Sequence, residues 1–157
     1  MDDLIPYRPG WVWVYSCLYY PVILYINIVM DSAHQFLYVA MSYMVLLVMQ
    51  MLFFRYFPVA TPEAWRVMVR PDNHSERFLA FVQSLDARSN CFPSMHTSVA
   101  TLTALHLQPH LGPWAFSFPV LISVSCLFTK QHFIADLPAG ALLGWGAFAA
   151  FRTIYPA

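Results

Sequence analysis

The sequence predicts an all-α, polytopic transmembrane helical bundle of about five spans with one short interfacial helix. Three observations predict it. Hydrophobic residues make up 59% of the 157 positions and charged residues only 10%, whereas a soluble domain carries about 25% charged and about 45–50% apolar residues. Nine of the sixteen charges gather within residues 55–91, as Arg55, Glu63, Arg66, Arg70, Asp72, Glu76, Arg77, Asp86 and Arg88. Uncharged apolar runs flank that segment on both sides. A bilayer core about 30 Å thick requires roughly 20 apolar residues as a helix, because backbone groups in lipid must bond within their own segment.

Residues 11–30 and 35–54 meet that requirement without a charge, and residues 31–34 between them are short enough to be a turn. Residues 92–107 form a shorter span carrying His96 and His106, residues 108–110 read as a second turn, and residues 111–128 are charge-free. The last span, 132–151, is apolar except for His132 and Asp136 at its beginning. Inside the charged loop, Phe78, Phe81, Val82 and Leu85 share one helical face, and Asn73 followed by Glu76 is a helix-start signal. An amphipathic helix there either lies in the membrane interface or caps the bundle. Gly140 and Gly144, with Ala139, Ala147, Ala149 and Ala150 nearby, give the last span a small-residue face for close helix contact. The whole chain, 1–157, reads as one membrane-embedded domain.

Several function classes are disfavoured. Eight basic residues balance eight acidic ones, so no basic surface marks a nucleic-acid partner. Cys17, Cys91 and Cys126 lack CxxC or CxxH spacing, which argues against a disulfide framework or a zinc site. His106 and His110 form an HxxxH pair, but a di-iron oxidoreductase box needs more than the six histidines present, and Pro109 lies between the two. The N-terminus lacks the basic region of a cleavable signal peptide, so the first apolar run is expected to stay as a span. Counting spans alternately puts seven of the eight basic residues on one face, against Arg152 on the other. The positive-inside rule alone makes that face cytoplasmic; binding of an anionic substrate would give the same asymmetry a different cause.

Ionisable groups at membrane depth are functional candidates by default, and here they are His96, His106, His132 and Asp136, with Lys130 just outside. His132 and Asp136 are spaced i, i+4, so one helical turn would bring the carboxylate to Nδ1, fix the tautomer and free Nε2 as a nucleophile or base. Pro138 places the helix start close to this pair. In Asn90-Cys91-Phe92-Pro93-Ser94-Met95-His96, Pro93 suits a first helical residue, with Asn90 to Phe92 as the lead-in. Free N–H groups there, with the Ser94 hydroxyl, would cradle a phosphate, and His96 would lie one turn inside. A non-catalytic polar network is the competing reading, and it offers no reason for Pro-Ser at the helix start. Trp11, Trp13, Tyr15, Tyr19 and Tyr20 read as an aromatic belt and span packing, and His34, His74 and His110 as loop or interface residues.

Pro93-Ser94-Met95-His96 resembles the PSGH motif of the type-2 phosphatidic acid phosphatase superfamily. His132 through Asp136, followed by Leu137-Pro138-Ala139-Gly140, resembles its HxxxD motif and the small-residue helix behind it. The wording of both is most similar to the branch that includes bacterial lipid phosphatases and the inositol-phosphorylceramide and sphingomyelin synthases. The two histidines stand 36 residues apart with a span pair between them. Three positions depart from the pattern: Glu63 stands at the lysine of KxxxxxxRP, which ends here as Arg70-Pro71; Ser125-Cys126 replaces Ser-Arg; and Met95 replaces the PSGH glycine. Arg55, with Pro58 and Pro62, looks like a divergent first motif, and Lys130 is the cation nearest His132 in sequence.

The resemblance implies a membrane lipid phosphatase acting on a phosphomonoester, phosphatidic acid-like or isoprenyl, at the extracytoplasmic face. His132 would attack phosphorus and form a phosphohistidine, Asp136 would orient its ring, and His96 would serve as acid and then base. Lys130, Ser94 and Arg55 would hold the phosphate, with no metal and no cofactor. A phospho-headgroup transferase using the same residues is the alternative. The family's usual six spans would make one N-terminal span absent here or placed beyond this sequence.

Overall fold

Every regular element is helical among the residues described by the structure, a computed structural model covering 2–65, 72–85 and 90–154. Arg66, Arg70, Pro71, Asp86 and Arg88 lie outside the described residues. The first pass, Pro9–Val29, opens with a 3-10 turn at Pro9–Trp11, widens into a π-turn at Val14–Leu18 and continues as α1, Tyr19–Val29. Pro21 has no N–H to give the Cys17 carbonyl, and the helix opens into its wide turn just ahead of that proline. Ser32 caps α2, Ala33–Tyr56, by accepting the Gln35 N–H at 3.2 Å.

α3, His74–Leu85, begins with the reciprocal cap that the sequence signals. Asn73 Oδ1 accepts the Glu76 N–H at 3.0 Å, and Glu76 Oε2 accepts the Asp72 N–H at 2.7 Å. It caps the first pass: Leu79 is buried, Val82 packs on the core and Phe78 stacks on Trp13 with ring centroids 4.8 Å apart. Phe81 and Leu85 stay exposed, so only part of the expected apolar face turns inward.

The predicted turn at 108–110 is corrected. α4, Met95–Leu111, runs through those residues with Pro109 in its last turn, and the chain reverses at Gly112. Gly112 takes φ +57 and ψ −146, a conformation in which a Cβ would be strained. A 3-10 turn at Gly112–Phe116 leads into α5, Ser117–Phe128. The Thr97 and Ser123 hydroxyls lie 3.1 Å apart, holding the start of α4 against the middle of α5 as an antiparallel hairpin. α6, Asp136–Ile154, closes the bundle. Among the described residues, three helical stretches are long and apolar enough to cross a membrane: Pro9–Val29, Ala33–Tyr56 and Met95–Phe128, the last being this hairpin.

α4 lies at the centre, packed on α1, α2, α5 and α6. A helix so rich in Ser and Thr can be buried because its hydroxyls bond back to its own turns: Thr101 Oγ1 to the Thr97 carbonyl at 2.8 Å, and Thr103 Oγ1 to Val99 at 2.7 Å. The small-residue face of α6 lies on α4. A Cβ added to Gly140 would come within 2.5 Å of the Ser94 carbonyl oxygen, and one added to Gly144 would collide with that of Ser98. Gly144→Ala should therefore lower stability by about 1–3 kcal/mol. Gly146→Ala, whose Cβ would meet only the flexible tip of Met49 at 3.9 Å, should leave it unchanged. Thermal unfolding in detergent compares the two, and equal behaviour would show that the α4–α6 contact yields.

Candidate active site

Close approach of α4 and α6 brings the two distant motifs edge to edge, and the Ser94 N–H donates to the Asp136 carbonyl at 3.0 Å. His132 lies in the irregular stretch between α5 and α6, while Asp136 is the first residue of α6. The pair is thus held by a turn leading into a helix rather than by one turn of continuous helix. His132 Nδ1 lies 3.2 Å from Asp136 Oδ2 and 3.0 Å from the Cys91 carbonyl oxygen. Both neighbours are acceptors, so in the neutral ring Nδ1 carries the proton and Nε2 the lone pair. Asp136 Oδ2 also accepts the Phe133 N–H at 2.9 Å, so carboxylate and turn position each other. Cys91 is tied in turn by its own N–H, which donates to the Val59 carbonyl at 2.9 Å. Both His132 and Asp136 are buried.

The start of α4 differs from the expected one. Ser94, not a residue before Pro93, is the N-cap, and its hydroxyl accepts the Thr97 N–H at 3.3 Å. Serine there can satisfy a first-turn donor, as proline cannot. Ser94 is fully buried in that role, and His96 becomes the second helical residue. Among the described residues, the first-turn amides left without a partner are those of Met95 and His96. The His96 ring faces His132 with centroids 5.8 Å apart at 63°.

Two contributors went unread in the sequence. Tyr15, assigned to packing, is buried and places its hydroxyl 2.7 Å from His96 Nε2. Its π-turn carries no signal in a run so rich in aromatics. Gln50 is buried in α2, donates Nε2–H to the Pro93 carbonyl at 2.8 Å and accepts the Ser98 hydroxyl at 3.2 Å. A lone amide within an apolar span was the available signal, since such a group must find a partner in lipid.

The remaining candidates spread out. Lys130 Nζ donates to the Asp2 carbonyl at 2.7 Å and sits 4.9 Å above the Trp65 ring. Arg55 is exposed in the last turn of α2, with no ion-pair partner among the described residues. Cys126, at the position where the resemblance expects arginine, is buried against the histidine pair. Its Sγ and one nitrogen from each of His96 and His132 all lie within 4.8 Å of one another. A neutral thiol therefore lines the wall where a cation was expected. These three are also the group among the described residues that could hold a metal ion, and an ion there would occupy imidazole nitrogens.

A family model described as the PAP2 superfamily matches residues 11–150, a span that includes most of the first pass, both histidines and most of α6. The chain belongs to the PAP2 superfamily. No curated protein and no solved structure matches it. PAP2 chemistry is phosphoester hydrolysis or transfer. With three helices long and apolar enough to span a bilayer, this PAP2 protein is an integral membrane protein.

Proposed function

We propose that the chain is a lipid phosphatase that hydrolyses a lipid phosphomonoester, phosphatidic acid-like or isoprenyl, at the extracytoplasmic face through a phosphohistidine. The observation that carries this reading is His132 Nδ1 held between two acceptors, because it leaves Nε2 as an unprotonated nucleophile. In the first step the Nε2 lone pair attacks phosphorus, the P–O ester bond breaks, and His96 gives its proton to the departing alkoxide. In the second, His96 takes a proton from water, the hydroxide attacks phosphorus, and the P–N bond breaks to release phosphate and restore His132. The Met95 and His96 amides at the α4 start, fixed by the Ser94 cap, stabilise the equatorial oxygens together with Lys130 and Arg55. Tyr15 positions the His96 ring between turnovers.

The test is release of inorganic phosphate from phosphatidic acid added outside sealed right-side-out vesicles, with excess chelator present. Release supports the reading. Transfer of the phosphoryl or headgroup to a lipid alcohol without release would favour the transferase type, and activity only after chelator is replaced by a divalent metal would overturn the covalent scheme.

Lys130 needs a rearrangement to reach substrate, since its ammonium rests on the Asp2 carbonyl. If it does bind phosphate, Lys130→Met should lose a charge-assisted contact and about 10- to 150-fold in kcat/KM, with Lys130→Arg retaining much of the activity. Full activity in Lys130→Met would leave Lys130 as a tether for the N-terminal segment and shift the phosphate role to Arg55.

The structure also sets the expected effect of Asp136→Asn. An asparagine side-chain oxygen can still accept from both Phe133 N–H and His132 Nδ1–H, and the Cys91 carbonyl holds that proton independently. The tautomer should survive and only the carboxylate charge be lost. A fall of about 10- to 150-fold is expected, below the roughly 10⁴-fold fall of the analogous serine-protease change. A loss as large as that one, measured in kcat, would show that Cys91 does not secure the tautomer.

A further inference from the structure

At the opposite end of the bundle from the histidine pair, α1, α2, α4 and α6 enclose a cavity of about 360 Å³, within the size range of small-ligand sites. His96 and the cavity residue His106 lie ten positions apart on α4, or about 15 Å along its axis, so this is a separate place. Its walls are of two kinds. Ile26, Val29, Leu105 and Phe148 provide apolar surface, while His34, His110 and Arg152 stand exposed at the rim. Among the described residues no carboxylate lines it, and Asp31 stands exposed in the turn before α2. Arg152 has no ion-pair partner among the described residues, and its guanidinium lies 5.6 Å over the Phe148 ring.

His106 is already engaged. Ser42 Oγ spends its proton on the Val39 carbonyl at 2.7 Å, so the 2.7 Å contact between Ser42 Oγ and His106 Nε2 has the imidazole donating. The cavity's imidazoles do not come together as a metal site either, since the one ligand trio found among the described residues is at the catalytic end. What the cavity offers is the Arg152 guanidinium, beside two imidazoles, at the rim of an apolar recess. Arginine recognises phosphate through its planar fork, and basic pockets between transmembrane helices suit lipid headgroups.

We propose that this cavity binds one anionic amphiphile, a phosphate-headed lipid. Its headgroup lies at Arg152, His34 and His110, and the start of its chain lies on Ile26, Val29 and Phe148. The site is independent of the chemistry proposed at His132. The test uses the full chain in phosphatidylcholine nanodiscs, with phosphatidylglycerol added as a phosphodiester probe, and counts retained lipid by native mass spectrometry. One phosphatidylglycerol should be retained per chain, in preference to phosphatidylcholine. Arg152→Gln with His110→Gln, both at exposed positions, should weaken retention about tenfold or more while the lipid-free melting temperature stays unchanged. Val29→Trp, which fills the recess without touching a charge, should weaken it too. Retention unaffected by either variant, or equal retention of phosphatidylcholine, would overturn the proposal. Inorganic phosphate separates the sources of the anion: it should fail to displace the lipid, and displacement at comparable concentration would overturn the amphiphile assignment.

Discussion

His132→Ala should yield no covalent phosphoenzyme and no turnover above background. The expected loss is on the order of 10⁶-fold, the scale seen when a nucleophile is removed from a serine-protease triad. No other imidazole is placed to substitute: His96 donates or accepts through a ring already placed on Tyr15, His34, His106 and His110 line the cavity at the far end of the bundle, and His74 stands exposed at the start of α3. The covalent species should be looked for under alkaline quench, because a phosphorus–nitrogen bond to imidazole survives base and is lost in acid. The variant should still fold, since Asp136 Oδ2 keeps the Phe133 N–H as a partner, and a thermal melt checks that. An active His132→Ala protein would remove the covalent scheme altogether.

His96→Ala should separate acid catalysis from structure by its dependence on the leaving group. A lipid phosphate expels a strongly basic alkoxide that needs a proton as the bond breaks, and general acid catalysis contributes roughly 10²- to 10⁴-fold. Turnover of phosphatidic acid should fall by about that much. An aryl phosphate, whose phenolate leaves unaided, should be hydrolysed at close to the normal first-step rate. A burst of phenolate release before steady state would show directly that the first step is spared while the second is slowed. Equal losses in the first step on both substrates, with no burst, would mean that His96 only holds Tyr15 and the head of α4 in place.

Much of this was legible in one dimension. Spans can be read from sequence because lipid satisfies no backbone group, so each pass needs an unbroken apolar helix, and residues 11–30 and 35–54 declare themselves by lacking charge. The chemistry-bearing residues stand out for the same reason: a histidine or aspartate is costly at membrane depth. Asn73 and Glu76 signal the start of α3 because a cap depends on neighbours three residues apart. Gly140 and Gly144 read correctly as a contact face, since a missing side chain is visible without knowing the partner.

Other features depend on what comes close in space. The sequence put a turn at 108–110, as the short connection between two apolar runs; the helix continues through it with Pro109 in its last turn and reverses at Gly112, where positive φ is free of Cβ strain. It placed the cap of α4 before Pro93, whereas Ser94 takes that role, its hydroxyl accepting the Thr97 N–H while packing against α6 engages its N–H with Asp136. The second acceptor that orients His132, the Cys91 carbonyl 41 positions away, follows no periodicity, because a backbone oxygen has no residue identity. Tyr15 and Gln50 join the site only through helix crossings. Composition and local spacing thus determined the solvent, the helices and the identity of the reactive groups. Tertiary packing decided which proton each group holds, because a hydrogen bond is set by distances of about 3 Å between atoms that may be far apart along the chain.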